Sequence, residues 1–213
     1  MIGVITTDAN ISKKLLDKAL KDVVKSTFNR VSVDGDTSVC DMVLIMANGQ
    51  ADNEFISEED NNYVKFKEAL NLVCTALSRM IAKDGEGATK LVEVVVQGAP
   101  TEDAAYKVVC AVAKSPLVKT AFFGEDANCG RILTAAGYSG AQFDPNNTDI
   151  YLGDLMVYKN GTALAFDEAK AKAVLSEKEI KVTIKLNQGS FSDRMWTCDF
   201  SYDYVKINGS YRS

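Results

Sequence analysis

The spacing of apolar and polar residues predicts an ordered series of elements from the first residue onward. Met1-Ile2-Gly3-Val4-Ile5-Thr6-Thr7 reads as a β-strand with no loose polar lead, the expectation for a chain end made by cleavage. Leu15, Leu16, Ala19, Leu20, Val23 and Val24 recur at helical spacing and predict a helix over residues 12–27, capped by Ser12 or Asn10. Met42-Val43-Leu44-Ile45-Met46-Ala47 is apolar at every position, so a strand buried on both faces of a sandwiched sheet is expected. Ser57-Glu58-Glu59-Asp60 starts a second helix with Tyr63, Phe66, Leu70, Val73, Leu77 and Ile81 as its core stripe.

Asp84-Gly85-Glu86-Gly87-Ala88-Thr89 turns the chain into a continuous strand from Leu91 to Val96. Thr101-Glu102-Asp103 caps an Ala- and Val-rich helix that ends before Ser115-Pro116, and Gly124 to Arg131 leads into a short helix closed at Gly137. Ile150 to Tyr158, the turn Lys159-Asn160-Gly161 and Thr162 to Ala165 predict a hairpin, because Asn-Gly supplies the positive φ angles of a type I′ turn. A helix follows over 167–174. Ile180, Val182, Ile184 and Leu186 then alternate with polar residues as a strand with one wet face, and an apolar, tyrosine-bearing segment runs from Trp196 to Ile207. The pattern changes near residue 140, so residues 1–140 are expected to form a helix and buried-strand lobe and residues 141–213 a β-led lobe of the same folded unit.

At 213 residues, 46% hydrophobic and 25% charged, the chain has enough apolar material for a core, which excludes disorder and fibrous classes. A net charge of −5 without a basic run argues against nucleic acid as a partner. The chain has no histidine, which removes Ser-His-Asp triads, Cys-His pairs and histidine-ligated zinc from consideration. Its five cysteines are scattered without a CxxC pair and read as reduced core thiols of a cytoplasmic protein. No apolar run reaches the ~18 residues of a membrane span. Neither a Walker lysine nor GxGxxG nor a spaced calcium-loop series is present, so no cofactor or metal is expected.

Two loops concentrate acids and glycines. Glu86 stands between two glycines at the mouth of a buried strand, where backbone can approach a ligand closely; a plain turn with a solvated acid fits as well. Asp34-Gly35-Asp36-Thr37-Ser38 could hold a cation or orient a partner, or be an Asx-turned loop. Tyr202, Tyr204 and Tyr211 are either a recognition stripe or core residues with polar tips.

Five segments together carry a resemblance: Met1 to Ala9; Phe28-Asn29-Arg30 with Val33 to Ser38; Asp84 to Lys90; Gly124 to Arg131; and Tyr202 to Asn208 with Tyr211-Arg212-Ser213. In order and from first residue to last, the chain resembles the β chain of the ornithine acetyltransferase (glutamate N-acetyltransferase) family of arginine biosynthesis. The resemblance implies an α/β (α+β) fold of stacked β-sheets flanked by helices, of the ornithine acetyltransferase/DmpA-like kind. It also implies a precursor that cuts itself at an Ala-Thr bond, leaving a threonine nucleophile at the head of the β chain. That threonine would stand just before Met1, so no catalytic residue is assigned within this sequence. An N-terminal threonine can use its own α-amine, with a pKa near ~8, as base.

The implied reaction is ping-pong transfer of acetyl from N2-acetylornithine to glutamate, with acetyl-CoA as a second donor in bifunctional members. The implied partner is the α chain of the same precursor, in a cytoplasmic α2β2 heterotetramer, and the α chain would supply the Thr-Gly oxyanion donors. Glu86 matches the family's substrate-binding glutamate, suited to the cationic end of ornithine. Asn208 matches a substrate-binding asparagine, and Ser213 stands where the family usually ends in threonine. If the threonine were truly absent, the chain would be an inactive binding subunit.

Overall fold

Two parallel strands, β1 (Ile2–Thr7) and β2 (Met42–Ala47), pair from Ile2 opposite Met42 to Thr7 opposite Ala47. They belong to the first of two units in the computed structural model, which describes residues 1–210. This unit comprises Met1–Arg30 and Asp36–Ser78; the second comprises Val31–Gly35 and the chain from Arg79 onward.

In the first unit, α1 (Lys13–Ser26) begins where expected, with Ser12 Oγ accepting from the Leu15 N–H at 3.4 Å. Its periodic positions bury Leu15, Ala19 and Val23. The next helix, α2 (Asn61–Lys83), is capped by Asp60, which accepts from the Tyr63 N–H at 2.9 Å. Tyr63, Leu70 and Cys74 are buried in the same cluster as the α1 residues. Val73, expected in the core stripe, is 48% exposed, because the buried line of α2 runs through Leu70 and Cys74 and leaves the intervening residue rotated outward.

The sandwiched environment expected for β2 is absent among the described residues. Met42, Leu44 and Met46 are 45%, 43% and 52% exposed, as are Ile2 and Val4 of β1 at 71% and 55%. Only the side carrying Ile5 and Ile45 packs on the α1 and α2 cluster.

The second unit is built on a six-stranded sheet of order β6-β5-β4-β7-β3-β8, formed by β3 (Leu91–Ala99), β4 (Asp149–Leu152), β5 (Leu155–Lys159), β6 (Thr162–Ala163), β7 (Glu179–Lys185) and β8 (Phe191–Cys198). Only β3 and β7 pair in parallel. Their inward residues Val92, Val94, Val96, Val182 and Ile184 share one core with α3 (Glu102–Lys114). The expected alternation of β7 is realised, with Ile180, Val182, Ile184 and Leu186 buried. Because β3 lies between β7 and β8, residues on both sides of position 140 build one sheet, and the boundary between units falls after Ser78.

Two details depart from the sequence pattern. The segment 150–158 is not one strand: Gly153 at φ 57° turns it into the β4–β5 hairpin, whereas the predicted Asn160-Gly161 turn between β5 and β6 has φ of 46° and 81°. A helix, α4 (Pro116–Phe123), restarts immediately after α3, with Ser115 as cap and proline in its first turn. The remaining helices are α5 (Cys129–Gly137), α6 (Glu168–Ser176) and α7 (Tyr202–Ser210).

Candidate functional site

The 84–89 loop is a tight turn set against the C-terminal segment of the second unit. It leaves α2 at Asp84 and closes through the Ala88 N–H on the Gly85 carbonyl at 2.9 Å. Gly87 has φ 69°, and a Cβ there would lie 2.4 Å from the Tyr204 nitrogen, so only glycine lets the turn meet the first turn of α7. Ser201 joins the two: its hydroxyl donates to the Gly87 carbonyl at 2.5 Å and accepts from the Asp203 N–H at 3.2 Å, capping α7.

This junction brings two of the expected ligand residues together. Asn208 Nδ2 donates to Glu86 Oε2 at 2.8 Å and to the Tyr204 carbonyl one helical turn back at 3.0 Å. Glu86 and Asn208 are both exposed. Ser213 and Tyr211 lie outside the described residues. The 33–35 loop reaches the same place, since the Tyr204 hydroxyl donates to Asp34 Oδ2 at 3.2 Å. Tyr204 also stacks on Phe200 with ring centroids 4.6 Å apart, while Tyr202 is 84% exposed and meets the Phe123 edge. Asn208 Nδ2 occupies one carboxylate oxygen and brings no charge of its own, so this exposed carboxylate can take an ammonium group through charge-assisted hydrogen bonds.

Two residues not singled out in the sequence support the turn from beneath. Asp199, 1% exposed, accepts at Oδ1 from the Thr89 and Lys90 N–H groups, both at 2.8 Å, and at Oδ2 from the Thr89 hydroxyl at 2.6 Å. Lys119 is fully buried: its Nζ donates to Thr197 Oγ1 at 2.8 Å and to the Cys198 carbonyl, and stands 4.5 Å from the Phe200 ring centroid. Burial pushes the Lys119 ammonium below its ordinary pKa, against the opposing pull of Cys198, Asp199 and Asp34. Burial likewise pushes the Cys198 thiol up, with Lys119 opposing. An acid at a strand end and a lysine mid-helix follow no period in the sequence, and only the positions of β8 and α4 unite them.

The other acidic loop has a structural occupation. Glu125, at φ 54°, pairs with the buried Lys90 ammonium at 3.0 Å. No cluster of metal-ligating side chains occurs among the described residues, and no described helix is long and apolar enough to cross a membrane. In the first unit, a cavity of about 440 Å³ opens beside the start of β1, lined in part by Met1, Lys21, Phe28, Asn29 and Asp41.

Fold and site together define a mixed α/β chain, its sheets flanked by helices, in which a glycine turn and a C-terminal helix present a paired glutamate and asparagine. A family model described as "ArgJ family" matches residues 1–213. The chain is 52% identical over 217 residues to the arginine biosynthesis bifunctional protein ArgJ of Caldanaerobacter subterraneus subsp. tengcongensis, covering 100% of this chain and 54% of that protein. It is 47% identical to the Bacillus subtilis protein of the same name, covering 100% and 52%. A crystal structure of the arginine biosynthesis bifunctional protein ArgJ from Bacillus halodurans superposes with a TM-score of 0.95 at 44% identity, covering 99% of this chain and 100% of that one. The chain belongs to the ArgJ family, and it spans about half the length of the curated relatives it matches.

Proposed function

We propose that this chain is the downstream part of a self-cleaving acetyltransferase that moves acetyl from N2-acetylornithine to glutamate. The observation that carries the reading is the 2.8 Å contact between Glu86 and Asn208, which joins residues 122 apart in the chain into one exposed anionic constellation. Glu86 takes the side-chain ammonium of ornithine, Asn208 orients the Glu86 carboxylate, and Ser213 completes the ligand set. The nucleophile in this reading is a threonine immediately preceding Met1.

In the first half-reaction the threonine Oγ attacks the acetyl carbonyl carbon while its α-amine takes the hydroxyl proton. Donors from the upstream chain hold the oxyanion. The carbon–nitrogen bond then breaks, the proton passes to the departing amine, and ornithine leaves an acetyl ester on the enzyme. The amine of glutamate attacks that ester in the second half, releasing N-acetylglutamate and restoring the threonine. Two upstream and two downstream chains form the working heterotetramer, located in the cytoplasm.

The word "bifunctional" in the relatives' names favours a second donor, acetyl-CoA, in the same ping-pong scheme. Incubating the whole processed protein with N2-acetylornithine alone and weighing its chains tests the reading. The downstream chain should gain one acetyl group and lose it on adding glutamate. A downstream chain that never gains mass makes it an inactive binding subunit.

A further inference from the structure

We infer that Asp199 is a positioning residue for substrate binding, its buried carboxylate clamping the 89–90 backbone and thereby fixing where the Glu86 carboxylate stands. The inference rests on the reading of Glu86 as the ligand for the ornithine ammonium. The β3–β8 ladder ends with Leu91 opposite Cys198. One residue further, Lys90 and Asp199 still exchange bonds: the Asp199 N–H donates to the Lys90 carbonyl at 3.3 Å, and the Lys90 N–H donates to Asp199 Oδ1 at 2.8 Å. The carboxylate thus takes over from the ladder and gathers three donors from two residues. At 1% exposure it is withdrawn from any ligand.

Ser201, two residues on, holds the Gly87 carbonyl, so both ends of the stretch from Gly87 to Lys90 are gripped by side chains of one short segment. The two residues before that segment are held by Lys119, whose Nζ donates to Thr197 Oγ1 and to the Cys198 carbonyl. Glu86 is the exposed corner of this clamped turn. Three donors converging on one buried carboxylate leave the 89–90 backbone little freedom to move, which holds the turn where the ladder has ended.

The test is a double-mutant cycle on the whole processed enzyme with N2-acetylornithine as varied substrate. Asp199→Ala should raise KM about 10- to 100-fold, because loss of the clamp misplaces Glu86 by a fraction of an ångström or more. In a Glu86→Ala background the same change should add less than about twofold, since its effect runs through a carboxylate already gone. Asp199→Asn keeps an acceptor for the two N–H groups, and Thr89 can turn its hydroxyl to accept, so KM should return to within about threefold of wild type. Thr89→Val, which removes only one of the three bonds, carries the same cycle if Asp199→Ala does not fold. Equal effects of Asp199→Ala with and without Glu86 would overturn the inference while leaving the function intact. A Glu86→Ala enzyme of unchanged KM would overturn both.

Discussion

Replacing Gly87 by alanine perturbs the junction between the 84–89 turn and α7 at its closest point. The φ of 69° costs a non-glycine residue about 1–2 kcal/mol. The new Cβ would stand 2.4 Å from the Tyr204 nitrogen and 2.9 Å from the Asp203 carbonyl carbon, where ordinary contact begins at 3.4 Å. Backbone on both sides must therefore part by about an ångström, at a further ~1–3 kcal/mol. The expected loss is about 2–5 kcal/mol in urea denaturation of the full-length protein, with a higher KM for N2-acetylornithine because the Asn208–Glu86 bond opens along the same line. Gly137→Ala is the control: it closes α5 with nothing within 4 Å of its Cβ among the described residues, and should be neutral or stabilising by about 0.5 kcal/mol. If Gly87→Ala matched Gly137→Ala in stability and KM, the packing of the turn on α7 would be wrong.

Three other outcomes follow from named contacts. Glu179 bonds Lys83 at 3.0 Å and Arg79 at 2.8 Å, and first Lys83, then Arg79, hold its carboxyl below the ordinary 4.5. A depressed folded pKa gives stability present above the unfolded value and lost as pH falls through the folded one. Glu179→Gln should therefore cost no more than about 1 kcal/mol at neutral pH, a half-exposed pair being screened, and progressively less below about pH 4 in urea titrations. Cys74 is fully buried and its thiol is pushed up to about 11, whereas Cys40 is exposed. A disulfide reagent at pH 8 should label Cys40 in the native protein and Cys74 only after unfolding; early labelling of Cys74 would contradict the packing of α2 on α1. Lys119→Met leaves Thr197 Oγ1 and the Cys198 carbonyl without their donor and should fall further behind wild type in stability as pH rises toward 10.5, because burial penalises the charged amine and wild type sheds that charge at high pH.

Local rules were legible where a few neighbouring residues decide the outcome. Ser12 caps α1, Asn160-Gly161 makes its hairpin, and the alternation around Ile180 to Leu186 shows which side of β7 faces the core. The apolar run of β2 predicts more cover than the described residues provide, because a run of such residues reports their affinity for cover and not whether the cover belongs to the same chain. The restart at α4 was written in Ser115-Pro116, a pattern that ends one helix and begins the next. Glu86 stands out by its two flanking glycines and Asn208 only by family resemblance, and their pairing is not legible because no spacing rule links positions 122 apart. The Asp199 clamp, 109 and 110 residues from its donors, needed the β3–β8 pairing to become visible.

The central question is whether Glu86 contacts substrate. The most direct measurement is the KM for N2-acetylornithine of Glu86→Ala beside wild type, in the full-length protein, with urea stability recorded in parallel. Losing a charge-assisted bond should raise KM about 10- to 100-fold while stability stays within about 0.5 kcal/mol, Glu86 being exposed. A KM equal to wild type would remove the turn from the site.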